Sequence, residues 1–142
     1  MSRFVAIPVF SLVLTLTSHV APASDYTSPA SIDGAMTIDA ERLIELVGSR
    51  TDMVLIDSRI REDHADGYIE GSLLLVDRET DCASLAQVLS DKETPVIFYC
   101  NGPNCDRSDK AAVIAIECGY NEIYWFRGGI EEWRASKYPL IQ

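Results

Sequence analysis

Histidine and positive charge are both scarce in this sequence. There are two His in 142 residues, and one of them, His19, falls in an N-terminal stretch that reads as removable. The other, His64, sits in a polar turn and reads as solvated, which leaves a Cys–His protease dyad without a base. Lys and Arg number 12 against 22 Asp and Glu, a formal net charge of −10. Neutralising nucleic-acid phosphates takes a Lys/Arg-rich surface, so no nucleic-acid partner is expected. The acidic surface reads as that of a well-solvated protein. There is no internal repeat, no low-complexity tract and no second Cys or His pair at metal-ligand spacing, so neither a metal nor an organic cofactor is expected. No second long apolar run follows the first, so no membrane association is expected once that first run is gone.

The first run has the layout of a signal peptide. Arg3 is a short positive region, Phe4 to Leu16 is almost free of polar groups, and Ala21-Pro22-Ala23 has the small-x-small pattern of a cleavage site. The run is shorter than the roughly 20 residues a spanning helix needs. Residues 1–23 are therefore expected to be cleaved on export, to a periplasmic or secreted location. Residues 24–34, rich in Ser, Pro and Asp, read as a flexible leader, and residues 35–142 as one domain.

From Ala35 onward, short apolar runs alternate with helical patterns. Met36–Ile38, Met53–Ile56, Leu73–Val76, Pro95–Tyr99 and Ile123–Phe126 read as strands, most of them buried on both faces. Asp39 can cap a helix that buries Leu43, Ile44, Leu46 and Val47 and stops at Gly48. Arg61 to Asp66 reads as one or two helical turns. Ser84 is a candidate cap for a helix through Leu89, Ser108 for one ending at Gly119, and Ile130–Ser136 closes the chain as a helix. This order implies an α/β domain of three layers, a central, mostly parallel sheet flanked by helices. Ligands of such sheets bind beyond the carboxyl ends of the strands.

The clearest strand ends in a cysteine. The segment Tyr99-Cys100-Asn101-Gly102-Pro103-Asn104-Cys105-Asp106-Arg107-Ser108 runs from that strand directly into a helix. Such a loop can turn successive N–H groups toward one centre, and the positive end of the next helix points the same way. Gly102 tolerates the angles of a tight cradle, and Asn101 and Asn104 tolerate left-handed ones. A thiolate held there, with Arg107 as the nearest cation in sequence, lies below the free-thiol pKa of about 8.5. It can attack sulfur and hold a persulfide, or attack phosphorus and hold a phosphoryl group. Export makes disulfides chemically accessible, and four cysteines allow three complete pairings. Cys82 and Cys118 read as structural, either buried thiols or a bridge.

Three blocks of this sequence together resemble the rhodanese family, over about Thr37 to Pro139. The first is Leu55-Ile56-Asp57-Ser58-Arg59 followed by Gly67-Tyr68-Ile69-Glu70-Gly71-Ser72. The second is the Cys100 loop with Arg107, Ser108, Ala111 and Ala112. The third runs from Gly119-Tyr120 through Gly128-Gly129 to Trp133. The resemblance implies transfer of a sulfane sulfur from thiosulfate or a persulfide to a thiophilic acceptor. By the same resemblance Cys100 carries the sulfur, the backbone from Asn101 to Arg107 forms the cradle, Asp57 and Arg59 brace the fold near the site, and Trp133 packs the terminal helix. The substrate-binding set is then Asn101, Gly102, Pro103, Asn104, Cys105, Asp106 and Ser108, with Arg107 beside Cys100 in catalysis. Six residues separate Cys100 from Arg107, more than small members of the family or the fold's phosphatase relatives commonly place there. The loop is similar to that of exported rhodanese-like proteins with a Cys-Asn-Gly-Pro-x-Cys-x-Arg-Ser pattern. Tyr68 stands where the family usually has His, and reads as a packing change.

Several readings remain open on the residues alone. Cys105 is a resolving thiol, a disulfide partner of Cys100, or itself the nucleophile. The chain is a sulfurtransferase taking a small anionic donor and passing sulfur to a small nucleophile or protein thiol. Alternatively it is a redox or sulfur-carrier protein using the Cys100/Cys105 pair. A phosphatase of the same fold fits less well, because the loop is long and no general acid can be assigned. A silent binding module would have no use for the retained cysteine. Arg127, Glu131 and Glu132 read as ordinary solvated residues.

Overall fold

Three apolar runs end at the same level, and that alignment organises the molecule. In this computed structural model, which describes residues 25–142, Asp57 is in register with Tyr99 and Tyr99 with Phe126. The signal-peptide expectation for residues 1–23 lies outside the described residues.

The elements in chain order are β1 (Met36–Ile38), α1 (Ala40–Ser49), β2 (Val54–Asp57), α2 (Arg61–Ala65), β3 (Leu73–Leu74), a 3-10 turn (Asp77–Glu79), α3 (Cys82–Val88), β4 (Val96–Tyr99), α4 (Arg107–Glu117), β5 (Ile123–Phe126) and α5 (Gly129–Ala135). The five strands form one sheet in the order β1-β5-β4-β2-β3, and every pairing is parallel. β4 lies at the centre with all four side chains fully buried, as a strand covered on both faces requires. One face packs Leu43 and Leu46 of α1 and Ile130 and Trp133 of α5 onto Leu55, Ile97, Tyr99, Tyr124 and Phe126. The other packs Leu85 of α3 and Ala111, Ala112 and Ala115 of α4 onto Ile56, Val96, Phe98 and Ile123. The alanines let α4 lie close against the sheet, and its first turn sits at the end of β4.

Local chemistry moved several boundaries from where the sequence placed them. Asp39 caps α1 through the Arg42 amide, as expected, but the helix passes through Gly48 to Ser49. Ile44 and Val47 are exposed, so the buried stripe is only Leu43 and Leu46 with Ala40. Asp81 caps α3, and Ser84 closes a capping box from the third position instead of being the cap: the Asp81 carboxylate accepts from the Ser84 amide and the Ser84 hydroxyl from the Asp81 amide. α4 starts at Arg107, so Ser108 lies inside its first turn and caps nothing. β3 is cut to two residues because the chain bends at Val76 into the 3-10 turn.

The described part of the leader is not loose. Ser28 is buried, its amide donates to the Pro103 carbonyl at 2.7 Å, and Arg127 Nε donates to the Pro29 carbonyl at 2.7 Å. Its polar composition suggested a free tail. Its backbone is instead held by partners distant in sequence, at the edge where β4 and β5 end.

Candidate functional site

Cys100 is the first residue beyond β4, and its side chain is almost fully enclosed, with 1% exposed. Its sulfur is joined to Cys105 in a disulfide, the Cα atoms lying 6.5 Å apart. The Ser108 hydroxyl donates to the Cys100 sulfur at 3.4 Å. The same oxygen accepts from the Trp125 indole N–H at 3.0 Å. Because Trp can only donate, the hydroxyl hydrogen is left for the sulfur. The Cys105 carbonyl lies 3.5 Å from the Cys100 sulfur, a contact that becomes a hydrogen bond only when that sulfur is a thiol.

The loop's amides are mostly unspent. Among the described residues the Cys105 N–H donates to the Gly102 carbonyl at 3.0 Å, while the amides of Asn101, Gly102, Asn104, Asp106 and Arg107 have no backbone acceptor. With the first turn of the eleven-residue α4 beginning at Arg107, they leave donors and a helix dipole for an anion.

Arg107 lies beside Cys105. Its Nη1 lies 3.5 Å from the Cys105 sulfur and its Nε 3.7 Å from Asp77 Oδ1. The cation therefore lies against Cys105, two residues before it in the chain and bonded to Cys100. The side chains of Asn101 and Asp106 bond to the surrounding scaffold. Asn101 Nδ2 donates to Asp63 Oδ2 at 2.8 Å. Asp106 pairs with Lys110, whose hydrogen bond holds the carboxyl below its ordinary range.

The backbone of the Cys100 turn is clamped by α5. The Ile130 amide donates to the Cys100 carbonyl at 3.0 Å and the Glu131 amide to the Asn101 carbonyl at 2.8 Å. Gly129 makes that approach feasible: φ is +54°, and an added Cβ would collide with the Cys100 carbonyl. Glu131 and Glu132, expected to be an ordinary exposed face, take part. Glu132 Oε1 accepts the first amide of α1, from Ala40, at 2.8 Å, and the Glu131 carboxyl lies close over Gly102 and would have to swing aside for a Cβ there. Arg127, expected to be solvated, holds the Ser28 and Pro29 carbonyls.

Beneath the turn lies a buried polar network. Asp57 accepts from Arg59 Nε and Nη2, the latter at 2.7 Å, from Tyr99 Oη at 3.0 Å and faces His64 Nδ1 at 2.9 Å. Arg59 also donates to the Asp63 and Gly67 carbonyls. Burial pushes the Asp57 carboxyl up, but the hydrogen bonds from Arg59 and His64 outweigh it and hold the group below its ordinary value. Burial, then the Asp57 charge, push the Tyr99 hydroxyl up, so it stays a donor. The Asp57 and Arg59 side chains are both buried and paired with one another at the end of β2. His64, expected to be solvated, is part of this network and stacks on Tyr68 at 4.2 Å. Asp63, Trp125 and Asp77 drew no attention in the sequence. A Trp inside an apolar strand and an Asp in a polar turn carry no local signal of a partner distant in sequence.

Cys82 and Cys118 are bridged, joining the start of α3 to the end of α4, far along α4 from the loop. Trp133 packs α5 as expected, its Nε1 donating to the Pro139 carbonyl at 2.8 Å. Among the described residues, no three His, Cys, Asp or Glu side chains converge as metal ligands would.

Comparison with known proteins agrees with this architecture. The pattern of the rhodanese-like domain matches residues 39–136. An uncharacterized protein of Escherichia coli K12, YibN, is 28% identical over 105 residues, covering 73% of this chain and 68% of that one. The thiosulfate sulfurtransferase GlpE of Coxiella burnetii is 34% identical over 94 residues, covering 64% of this chain and 79% of its own. Among solved structures, the human single-domain sulfurtransferase TSTD1 superposes with a TM-score of 0.59 at 26% identity, over 71% of this chain and 96% of that one.

Proposed function

The chain belongs to the rhodanese-like domain family, and from that premise we propose that it is a sulfurtransferase in which Cys100 carries a sulfane sulfur as a persulfide. The donor is a small anion, thiosulfate or a persulfide, and the acceptor a thiophilic nucleophile or a protein thiol. The observation that carries the reading is the setting of the Cys100 sulfur. It lies at the carboxyl end of the central strand, within reach of a Ser108 hydroxyl that Trp125 orients toward it. A hydroxyl donor there favours the thiolate over the thiol. The unspent loop amides and the α4 terminus supply further donors for an anionic donor molecule. The relatives named as thiosulfate sulfurtransferases support the donor class.

Sulfur enters when the Cys100 thiolate attacks the outer sulfur of thiosulfate and sulfite departs with the electron pair. Transfer follows when the acceptor attacks the outer sulfur of the persulfide and the Cys100 thiolate leaves. The test is thiocyanate formation from thiosulfate and cyanide by the reduced chain. Activity in the wild type that disappears in Cys100→Ser supports the reading, and activity retained in Cys100→Ser refutes it.

A second reading, a thiol redox or sulfur-carrier protein, is favoured by one observation, the Cys100–Cys105 disulfide itself. It requires both thiols, so a Cys105→Ser chain with full sulfur transfer counts against it. For location, we propose export to an oxidising compartment. The apolar N-terminal run followed by Ala21-Pro22-Ala23 and the two disulfides support it.

A further inference from the structure

We infer that Cys105 is a second catalytic nucleophile, which resolves the Cys100 persulfide by attacking the Cys100 sulfur and expelling hydrosulfide. The inference rests on the persulfide reading above and adds an activity to it: reduction of sulfane sulfur to sulfide at the expense of a dithiol.

Three features of the site carry it. First, the sulfur–sulfur bond between Cys100 and Cys105 is the product of that attack, so the loop lets the Cys105 sulfur reach Cys100 Sγ with the backbone as it stands. Second, the one cation in the loop serves Cys105: Arg107 Nη1 is 3.5 Å from its sulfur. A neighbouring Arg lowers a thiol's pKa and prepares the thiolate. The two sulfurs thus have separate means of stabilisation, Arg107 for Cys105 and the Ser108 hydroxyl for Cys100. Third, Cys105 is the more accessible of the pair, 8% exposed against 1%. A dithiol reaching the disulfide meets Cys105 first, and attack there expels the Cys100 thiolate, the group needed for the next turnover.

The steps balance. The Cys100 thiolate takes the outer sulfur of thiosulfate, and sulfite leaves. The outer sulfur takes a proton from water. The Cys105 thiolate then bonds to Cys100 Sγ, the bond from Cys100 Sγ to the outer sulfur breaks, and its electron pair leaves with hydrosulfide. The two cysteines have been oxidised by two electrons and the sulfane sulfur reduced by two. An external dithiol, becoming a disulfide, restores both thiols. The sum converts thiosulfate and a dithiol into sulfite, hydrogen sulfide and a disulfide. A strong acceptor such as cyanide intercepts the persulfide before Cys105 acts.

The test is a single turnover on the reduced chain, freed of reductant and given thiosulfate, with sulfite, sulfide and intact mass measured together. The wild type should release one sulfite and one sulfide per chain and finish two hydrogens lighter than the dithiol form. Cys105→Ser should release sulfite, release no sulfide and keep the mass of one added sulfur. If the wild type keeps the added sulfur and releases no sulfide, the resolving role is overturned while the Cys100 persulfide stands. If neither protein releases sulfite, the persulfide reading falls, and the resolving step falls with it.

Discussion

Trp125 and Ser108 form the contact on which the reactive sulfur depends: the indole N–H donates to the hydroxyl oxygen at 3.0 Å, and both residues are buried. The two lie on β5 and α4, so the pairing exists only because α4 packs across the end of the sheet. Its effect is to fix which way the hydroxyl hydrogen points.

Removing that hydroxyl should weaken the thiolate. A hydrogen bond to a charged group contributes about 1.5–3 kcal/mol, somewhat less when the acceptor is sulfur, so Ser108→Ala should slow sulfur loading roughly tenfold. The pH dependence of Cys100 alkylation should move to higher pH in Ser108→Ala, and by less in Trp125→Phe, which leaves the hydroxyl in place.

The oxidised chain should be inert. With Cys100 bonded to Cys105 and enclosed, no thiolate is available to attack a donor. Thiocyanate formation should be absent before reduction and appear after treatment with a dithiol. Thiosulfate consumption by the unreduced chain at the same rate would contradict this.

Gly129→Ala should disable the site, whereas Gly71→Ala should not. Both glycines have positive φ, but a Cβ at 129 meets the Cys100 carbonyl while one at 71 meets nothing. Both variants should lose stability, about 1 kcal/mol or more, from the unfavourable backbone angle. Only Gly129→Ala should also lose sulfur transfer, and comparing the two activities at equal folded fraction separates the effects.

The Asp57 network sets an acid limit on stability. The folded Asp57 carboxyl lies below its ordinary value of about 3.9, so the unfolded chain binds the proton more readily. Stability from this group is present above that value and lost as pH falls through the lower folded one. Asp57→Asn leaves Arg59 buried without its counter-charge, at a cost of about 3–5 kcal/mol. Urea denaturation at neutral and acidic pH should show that loss, and a flatter acid dependence in the variant.

The second disulfide should be structural only. Cys82 and Cys118 are 36 residues apart, and closing a loop of that length contributes up to about 4 kcal/mol in the unfolded-chain entropy picture. Cys82→Ser with Cys118→Ser should lower the denaturation midpoint and leave the rate of sulfur transfer by Cys100 in the folded protein unchanged.

What the sequence disclosed was whatever is local. The run Val96–Tyr99 is apolar but for the Tyr99 hydroxyl and announced a buried strand. Asp39 and the Arg42 amide are neighbours, so their cap was visible. Cys100 was marked by lying between that strand and a helix. What stayed hidden depends on contacts across the chain. Nothing near Asn101 pointed to Asp63, 38 residues away in the chain. Glu132 and Arg127 look solvated until α1 and the leader arrive beside them. His64 in its polar turn gave no sign of Asp57, because that contact forms only when α2 folds back beneath the end of β2.

Cys100 as the sulfur carrier is most directly tested by intact mass after thiosulfate treatment of two reduced chains, Cys105→Ser and Cys100→Ser, in which no Cys100–Cys105 disulfide can form. A gain of one sulfur atom by Cys105→Ser and none by Cys100→Ser is the predicted result. Sulfur gained by Cys100→Ser and not by Cys105→Ser would contradict it and move the reaction to the thiol beside Arg107.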